Sequence, residues 1–394
     1  MKKELKGVPF QVFILGVVSF LTDVSSDMIY PLLPIFLTQT LGAGQSFVGL
    51  VEGFAESAAA FFTLMSGLWA DRVRDRSKLV LGGYAFSSFS RPLMALASTP
   101  WVVFFVRFAD RIGKGIRTSP RDALIADSVE PHQRGKAFGL QRSMDHAGAV
   151  MGPLTATLLL LWFIKDLRQL FWIAAIPGIF ATLLVFWKVK EVLPKDRPLA
   201  EKKIKLTPPK DFRLRIYLGV LFLFILSCSS DAFLLLRASQ LGVAPAFLPV
   251  IWMVFNLVKA ITTLPLGMLS DRFGRRRVIL AGWIIYTLVY VGFALASQAW
   301  HVWALFVFYG FFYGFTEGSE RAILADYSEI SERGQVYGWY YLVVGLGALP
   351  ASLLFGALWQ WGGAKTAFLV SAGMSFAAAV LLALFLFFRP SLKP

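Results

Sequence analysis

Gly67-Leu-Trp-Ala-Asp71-Arg72 returns 200 residues later as Gly267-Met-Leu-Ser-Asp271-Arg272. A second string repeats 199 residues apart: Arg121-Asp-Ala-Leu-Ile-Ala-Asp127, then Arg134-Gly135 and Gly139, faces Glu320-Arg-Ala-Ile-Leu-Ala-Asp326, then Arg333-Gly334 and Gly338. The chain is therefore two copies of one half. In a membrane, parallel halves of this kind are related by a pseudo-two-fold axis along the membrane normal, with solute sites between them near the midplane.

Composition demands the membrane. Of 394 residues, 57% are hydrophobic and 16% charged, too little polar surface for a soluble globule. Leu170 to Trp187, Val278 to Ala296 and Phe368 to Phe388 approach or pass the roughly 20 apolar residues of a spanning helix. The hydropathy pattern predicts an all-α membrane protein with twelve spans, near 9–38, 47–70, 78–98, 100–127, 136–163, 168–189, 213–240, 247–270, 277–297, 300–327, 334–361 and 364–388. Six fall in each half. The domains are a bundle over 1–189, a linker over 190–212 with Pro194, Pro198, Pro208 and Pro209 among Lys and Glu, and a second bundle over 213–394.

The net charge of +15 is distributed by topology rather than for nucleic acid. Lys2, Lys3 and Lys6, then Arg72, Arg74, Arg76 and Lys78, Arg134 and Lys136, and Arg272, Arg275, Arg276 and Arg277 share one side. The turns near Gly42 to Ser46, Ser98 to Pro100 and Gly242 to Pro245 carry no Lys or Arg. The positive-inside rule then puts both termini in the cytoplasm, although Lys165, Arg168, Arg237 and Lys365 dissent. The first apolar segment holds Asp23 and Asp27 and no cleavage site, and is expected to stay as a helix. Lone Cys228 excludes an internal disulfide, and histidines at 132, 146 and 301 make no metal cluster.

Gly67-x-x-x-Asp71-Arg72-x-x-x-Arg76 and Gly267-x-x-x-Asp271-Arg272-x-x-x-Arg276 resemble the cytoplasmic signature between helices two and three, and eight and nine, of the major facilitator superfamily. The resemblance covers essentially the whole chain and implies two six-helix bundles alternating around a central cavity. The first copy departs from the usual pattern with Val73-Arg74 and Asp75. On physical grounds, Gly67 and Gly267 allow close helix packing, and an Asp beside arginines at a helix end makes charge-assisted bonds that can be broken and remade, a conformational latch. Asp127 and Asp326 are the natural partners of those arginines, and the resemblance implies the same role. Gly148-x-x-x-Gly152-Pro153 resembles the glycine-proline motif of exporters, chiefly proton antiporters, with Ala156-Thr157 where a glycine pair usually follows. Its plainer reading is a Pro-kinked helix packed through small residues.

Solute information is expected where the halves disagree. Arg107, Asp110, Arg111, Lys114, Arg117 and Arg121 fall on about a third of the circumference of helix four, while Gly310, Tyr313 and Thr316 stand opposite Arg111, Lys114 and Arg117 in helix ten. Charge at mid-membrane is costly unless paired or wet, so this stripe must face inward. Asp23 and Asp27 on helix one, and Glu52 and Glu56 on helix two, are each four apart and are the proton-coupling candidates. Arg107, Arg111 and Lys114, with Tyr30, Trp252, Tyr309 and Tyr313 as walls, are the substrate candidates; Asp145-His146 is a reserve relay. Buried salt bridges and plain aromatic packing are the alternatives for the same residues.

The expectation is a non-enzymatic secondary transporter of a small anionic or zwitterionic solute, coupled to protons and favouring export. It needs no cofactor beyond the proton gradient, since no phosphate-cradling Gly-x-x-x-x-Gly-Lys-Ser/Thr string occurs. A multidrug or metal-cation exporter is one alternative, and a non-transporting receptor or scaffold on the same fold another. Partners are solute, protons and lipid, with no nucleic acid and the chain a monomer. The location is a bacterial-type inner membrane.

Overall fold

Lipid offers the backbone no hydrogen-bond partner, so an apolar chain must satisfy its N–H and C=O groups internally, which helices do locally. The computed structural model describes residues 4–5, 8–73, 75–130, 133–192, 209–328 and 333–388. Apart from a two-residue ladder of Glu4–Leu5 with Val8–Pro9, regular structure among them is helical. In chain order these are α1 (Phe10–Thr40), α2 (Gln45–Arg72), α3 (Arg76–Ser90, continued by a 3-10 turn Arg91–Met94) and α4 (Pro100–Asp127). Next come α5 (Arg134–Trp162), α6 (Leu167–Lys188), α7 (Phe212–Gln240), α8 (Leu248–Phe273), α9 (Arg275–Leu295) and α10 (Ala299–Asp326). The last stretch, Arg333–Phe388, breaks at Gly363 (φ 80°) into α11 (333–362) and α12 (364–388). The protein is an all-α, multi-pass membrane protein: eight helical stretches among the described residues can cross a bilayer by length and composition, α11 and α12 counted together. Outside that set are α3, α4 and α10, and α4 owes this to its charged stripe.

The helices are not twelve plain rods. Pro31 and Pro34 remove two backbone donors, and α1 passes from α-helix (Phe10–Ile29) through a 3-10 turn to a π turn, Phe36–Thr40. The helix of α7 is interrupted at Cys228–Ser230 and restarts at Asp231, where the Ser230 hydroxyl accepts from Ala232 N at 3.3 Å. Such a break is tolerated because neighbouring groups take up its polar atoms: Tyr286 Oη donates to Ser227 O at 3.1 Å, and Ser229 Oγ meets Tyr290 Oη at 2.7 Å.

The chain divides into two compact units, the described residues of Met1–Ala43, Phe54–Ile204 and Pro245–Met253 forming one and those of Gly44–Gly53, Lys205–Ala244 and Val254–Pro394 the other. The first turns of α2 thus belong to the second unit and those of α8 to the first. Residues 193–208 of the expected linker lie outside the described residues. In the first unit α1 packs on α5 and α6, and α3 on α4 and α6. The second unit repeats this with α7 on the α11–α12 stretch, and α9 on α10 and the same stretch.

The repeat reaches individual contacts. A Cβ on Gly83 would lie 2.7 Å from Gly113 O and 2.7 Å from Arg117 Cβ, so only glycine lets α3 and α4 touch backbone to backbone. In the second unit, 199 residues on, Gly282 meets Thr316 and Phe312, the counterparts of Arg117 and Gly113. Between the motif strings (offset 200) and these contacts (offset 199), the second copy has lost one residue. The loss falls in the turn before α9, where Gly274 takes φ +89°, a conformation that side-chain-bearing residues rarely adopt.

Each helix sorts its residues by environment. On α6, Phe171, Ala174, Ala175, Gly178, Ala181 and Val185 face inward, while Trp172, Ile176, Phe180, Phe186 and Trp187 are exposed. An apolar exposed face of this extent suits hydrocarbon and not water. Inside, Val12, Leu15 and Val18 of α1 interlock with Val80 and Tyr84 of α3, Leu124 and Ile125 of α4, and Ala181 and Val185 of α6. In lipid it is close packing, not water exclusion, that holds such a cluster together.

Candidate functional site

The charged stripe of α4 is inward, as expected. Arg107, Asp110, Arg117 and Arg121 are all buried, and Arg111 is nearly so with 12% of its side chain exposed. Asp110 is the hub: its Oδ1 accepts from Arg91 Nε at 3.0 Å, and its Oδ2 lies 3.8 Å from Arg107 Nη1. Arg91 also donates to Thr22 O at 3.1 Å, tying α3, α4 and α1 together. A cavity of about 20 Å³, enough for one water, is lined by Ser26, Arg91, Arg107 and Asp110. Deeper along α4, Arg117 donates to Ser87 Oγ at 2.8 Å and stacks on the Tyr84 ring at 4.5 Å. Arg121 is neutralised by Asp122 at 2.9 Å and donates to Ser19 Oγ at 3.1 Å.

Several sequence candidates meet here. Arg111 Nη2 pairs with Glu56 Oε1 at 2.8 Å, while the buried Arg111 Nε has no hydrogen-bond partner among the described residues. Trp252 Nε1 donates to Asp27 Oδ1 at 3.1 Å, the Trp252 and Tyr30 rings lie 4.9 Å apart, and Arg107 sits 5.0 Å over Tyr30. Lys114 is exposed and, among the described residues, has no ion pair within 4.0 Å; the charges acting on it are Arg111, Glu56, Asp23 and Arg117. The Asp23 carboxylate likewise has no hydrogen bond or ion pair among the described residues, the charges acting on it being Asp145, Asp27, Lys114 and Arg117. The stripe thus carries less free positive charge than its sequence suggests, because Arg107, Arg111 and Arg121 lie against Asp110, Glu56 and Asp122.

Other candidates are placed elsewhere. Glu52 and Glu56 differ in setting: Glu52 is 1% exposed and belongs to the second unit, whereas the Glu56 side chain is 46% exposed in the first. Tyr309 and Tyr313 lie in the second unit. Tyr309 is buried, donates to Asp231 Oδ1 at 2.6 Å and stacks on Phe255; Tyr313 carries Lys259 Nζ 4.5 Å over its ring, with Lys259 paired to Glu317 at 3.3 Å. Asp145 of the reserve relay accepts from Gln141 at 2.6 Å and lies 3.6 Å from Arg142. Sequence reasoning missed Arg91 and Asp122; the signal was a lone Arg inside the third apolar run, and an Asp beside Arg121. Among the described residues, no cluster of three or more His, Cys, Asp or Glu side chains is placed to hold a metal ion.

The same chain that shows this charged interior matches the profile of the Major Facilitator Superfamily over residues 15–238 and again over 232–394. The chain belongs to the major facilitator superfamily. It is 36% identical over 356 residues to an uncharacterised MFS-type transporter of Methanocaldococcus jannaschii, covering 89% of this chain and 88% of that one. The multidrug resistance protein MdtH of Yersinia pestis is 25% identical over 348 residues, 86% of this chain and 84% of that protein. The nucleoside transporter NupG has the same fold (TM-score 0.80, 15% identity, 95% of this chain and 99% of that one). The protein is thus a major facilitator superfamily membrane transporter and not an enzyme.

In this superfamily member the signature turns hold their ion pairs in two different ways. Arg76, buried, donates to Asp127 Oδ2 at 2.7 Å and to Glu191 Oε1 at 3.3 Å, and its backbone N–H donates to Glu191 Oε2 at 2.6 Å. In the second copy Arg275, not Arg276, pairs with Asp326 at 2.6 Å, and with Asp271 at 3.6 Å. Arg276 instead donates to Tyr327 Oη. The one-residue deletion before α9 makes Arg275 the counterpart of Arg76, which corrects the alignment of the strings. Arg72 and Arg272 are exposed, and the Asp71 side chain lies outside the described residues. Gly67 and Gly267 are not close-packing points: a Cβ on Gly67 would lie 3.5 Å from Ser119 Oγ, and one on Gly267 would meet nothing within 4 Å. The glycine-proline motif does pack closely. Cβ atoms on Gly148 and Gly152 would lie 2.6 Å from Phe20 O and Val24 O, so α5 runs hard against α1 beside Asp23, and Pro153 sits buried in an unbroken helix.

Proposed function

We propose that this transporter exchanges a small zwitterionic solute for protons, in the direction of export, through the charged interior of α1, α2 and α4. The observation that carries this reading is Lys114, exposed and without an ion pair among the described residues, with Asp23, Asp27 and Glu56 among the charges it acts on. Opposite charges in one place suit a solute that carries both. Its anionic group takes Lys114 and the free face of Arg111; its cationic group takes Asp23 and Asp27, the groups that also bind the proton. Proton and solute then exclude each other at the same carboxylates, which is the condition for exchange. A bare anion behaves in the opposite sense: protonating the acids removes their repulsion of an anion at Lys114, so proton and anion travel together.

The closeness of α5 to α1 at Gly148 and Gly152 supports exchange, since this is the motif that resembles the exporter one. MdtH, called a multidrug resistance protein, favours a lipophilic cation as the second reading, with Asp27, Trp252 and Tyr30 as its aromatic acidic seat. The partners in this reading are solute and protons, with no cofactor, and the setting is a cell membrane with both termini on the cytoplasmic side.

Lys114→Ala separates the readings. A charge-assisted contact is worth about 1.5–3 kcal/mol, so binding of zwitterions by thermal shift or equilibrium dialysis should weaken about 10- to 100-fold. Cationic analogues without an anionic group should bind as before. Equal loss for both classes would sink the zwitterion proposal.

A further inference from the structure

The repeat places a charge inversion deep in the second unit. Glu320 of α10 is the counterpart of Arg121, Arg321 of Asp122, Trp283 of Tyr84 and Tyr340 of Gln141, all 199 residues apart. In the first unit the adjacent Arg121 and Asp122 neutralise each other. Arg321 does not return to Glu320: its guanidinium meets Glu317 at 3.4 Å. Glu320 is buried, and among the described residues no Lys, Arg or His nitrogen lies within 4.0 Å of its carboxylate. Its two oxygens instead accept from neutral groups, Oε1 from Trp283 Nε1 at 3.3 Å and Oε2 from Tyr340 Oη at 3.0 Å.

Such a place suits a neutral acid. An ion taken out of water is stabilised by a paired opposite charge, and two neutral donors return only part of that cost. We propose that Glu320 is a proton-binding site of the second unit, releasing its proton more readily while α9 and α11 both donate to it and holding it more tightly when either withdraws. The ligand is the proton, and the site is separate from Asp23 and Asp27. The titratable and charged groups facing it are Cys228 and Tyr217 of α7, Glu317 and Arg321 of α10, and Tyr340 of α11. Tyr217 Oη, on which the charge of Glu320 acts, is buried without a hydrogen-bond partner among the described residues, leaving a polar atom near the carboxyl for a proton to pass to.

Infrared pH titration of the purified full-length protein tests this through the protonated carboxyl C=O stretch. The wild type should show a component that disappears as pH rises, Glu320→Gln should lack that component, and Asp27→Asn should keep it. An unchanged titration in Glu320→Gln overturns the proposal. Tyr340→Phe keeps the acid and removes one donor to its charged form, so the same component should persist to a pH higher by about half a unit. A midpoint that stays or falls in Tyr340→Phe overturns it equally, even if Glu320→Gln does not fold. Because this readout needs no solute, its outcome is independent of whether the exchange reading holds.

Discussion

Replacing Asp27 by Asn should abolish uphill solute movement in proteoliposomes with an imposed pH gradient, bringing accumulation down to the level without a gradient. The substitution is isosteric and keeps an oxygen to accept from Trp252 Nε1, now 3.1 Å from Asp27 Oδ1, so the local geometry survives. What it removes is the ability to take and give a proton. Asp23 still offers the solute's cationic group a carboxylate, so downhill equilibration should persist with weaker solute binding while coupling is lost. The two measurements separate a coupling role from a folding defect. Full gradient-driven accumulation in the variant would remove Asp27 from coupling and leave Asp23 as the remaining acid on that face.

Asp110→Ala should destabilise the protein by about 3–5 kcal/mol, the cost of removing one partner of a buried ion pair. The reason is the geometry of the hub: Arg91 and Arg107 are 4% and 6% exposed, and Asp110 faces both. Without it two guanidiniums remain away from water against the Tyr30 and Thr22 side of α1. Thermal unfolding in detergent should show a markedly lower midpoint, and Asp110→Ala combined with Arg91→Met should regain part of it, because the uncompensated charge is then gone. An unshifted midpoint for the single variant would mean that these arginines find water or another anion.

Much of this was legible before any coordinates. The inward stripe of α4 followed from the cost of charge in hydrocarbon, and the helices followed from apolar run lengths. The choice of partners was not legible. Whether Asp110 binds Arg91 or Arg111 depends on which side chain of α3 reaches across, and nothing in the spacing of a single helix states that. Likewise Glu52 and Glu56 share a helical face by periodicity, yet burial divides them, Glu52 being buried and the Glu56 side chain half-exposed. The exchange of Arg276 for Arg275 was in principle readable: the repeat offset changes from 200 to 199 between the signature and Arg121, which requires one deletion in the turn. Gly67 and Gly267 misled because small residues permit close packing without requiring it, whereas Gly83 and Gly113 do require it.

The two signature ion pairs differ in how much of them water can reach. Arg76 and Asp127 are 4% and 27% exposed, Arg275 and Asp326 28% and 49%. Counterions gather around the second pair and shorten the reach of its field, to about 3 Å in molar salt against about 8 Å at physiological strength, while the first is largely insulated. Ionic strength therefore acts on one of the two duplicated ion pairs and scarcely on the other, so raising salt should loosen the turn before α9 and leave the turn before α3 as it is.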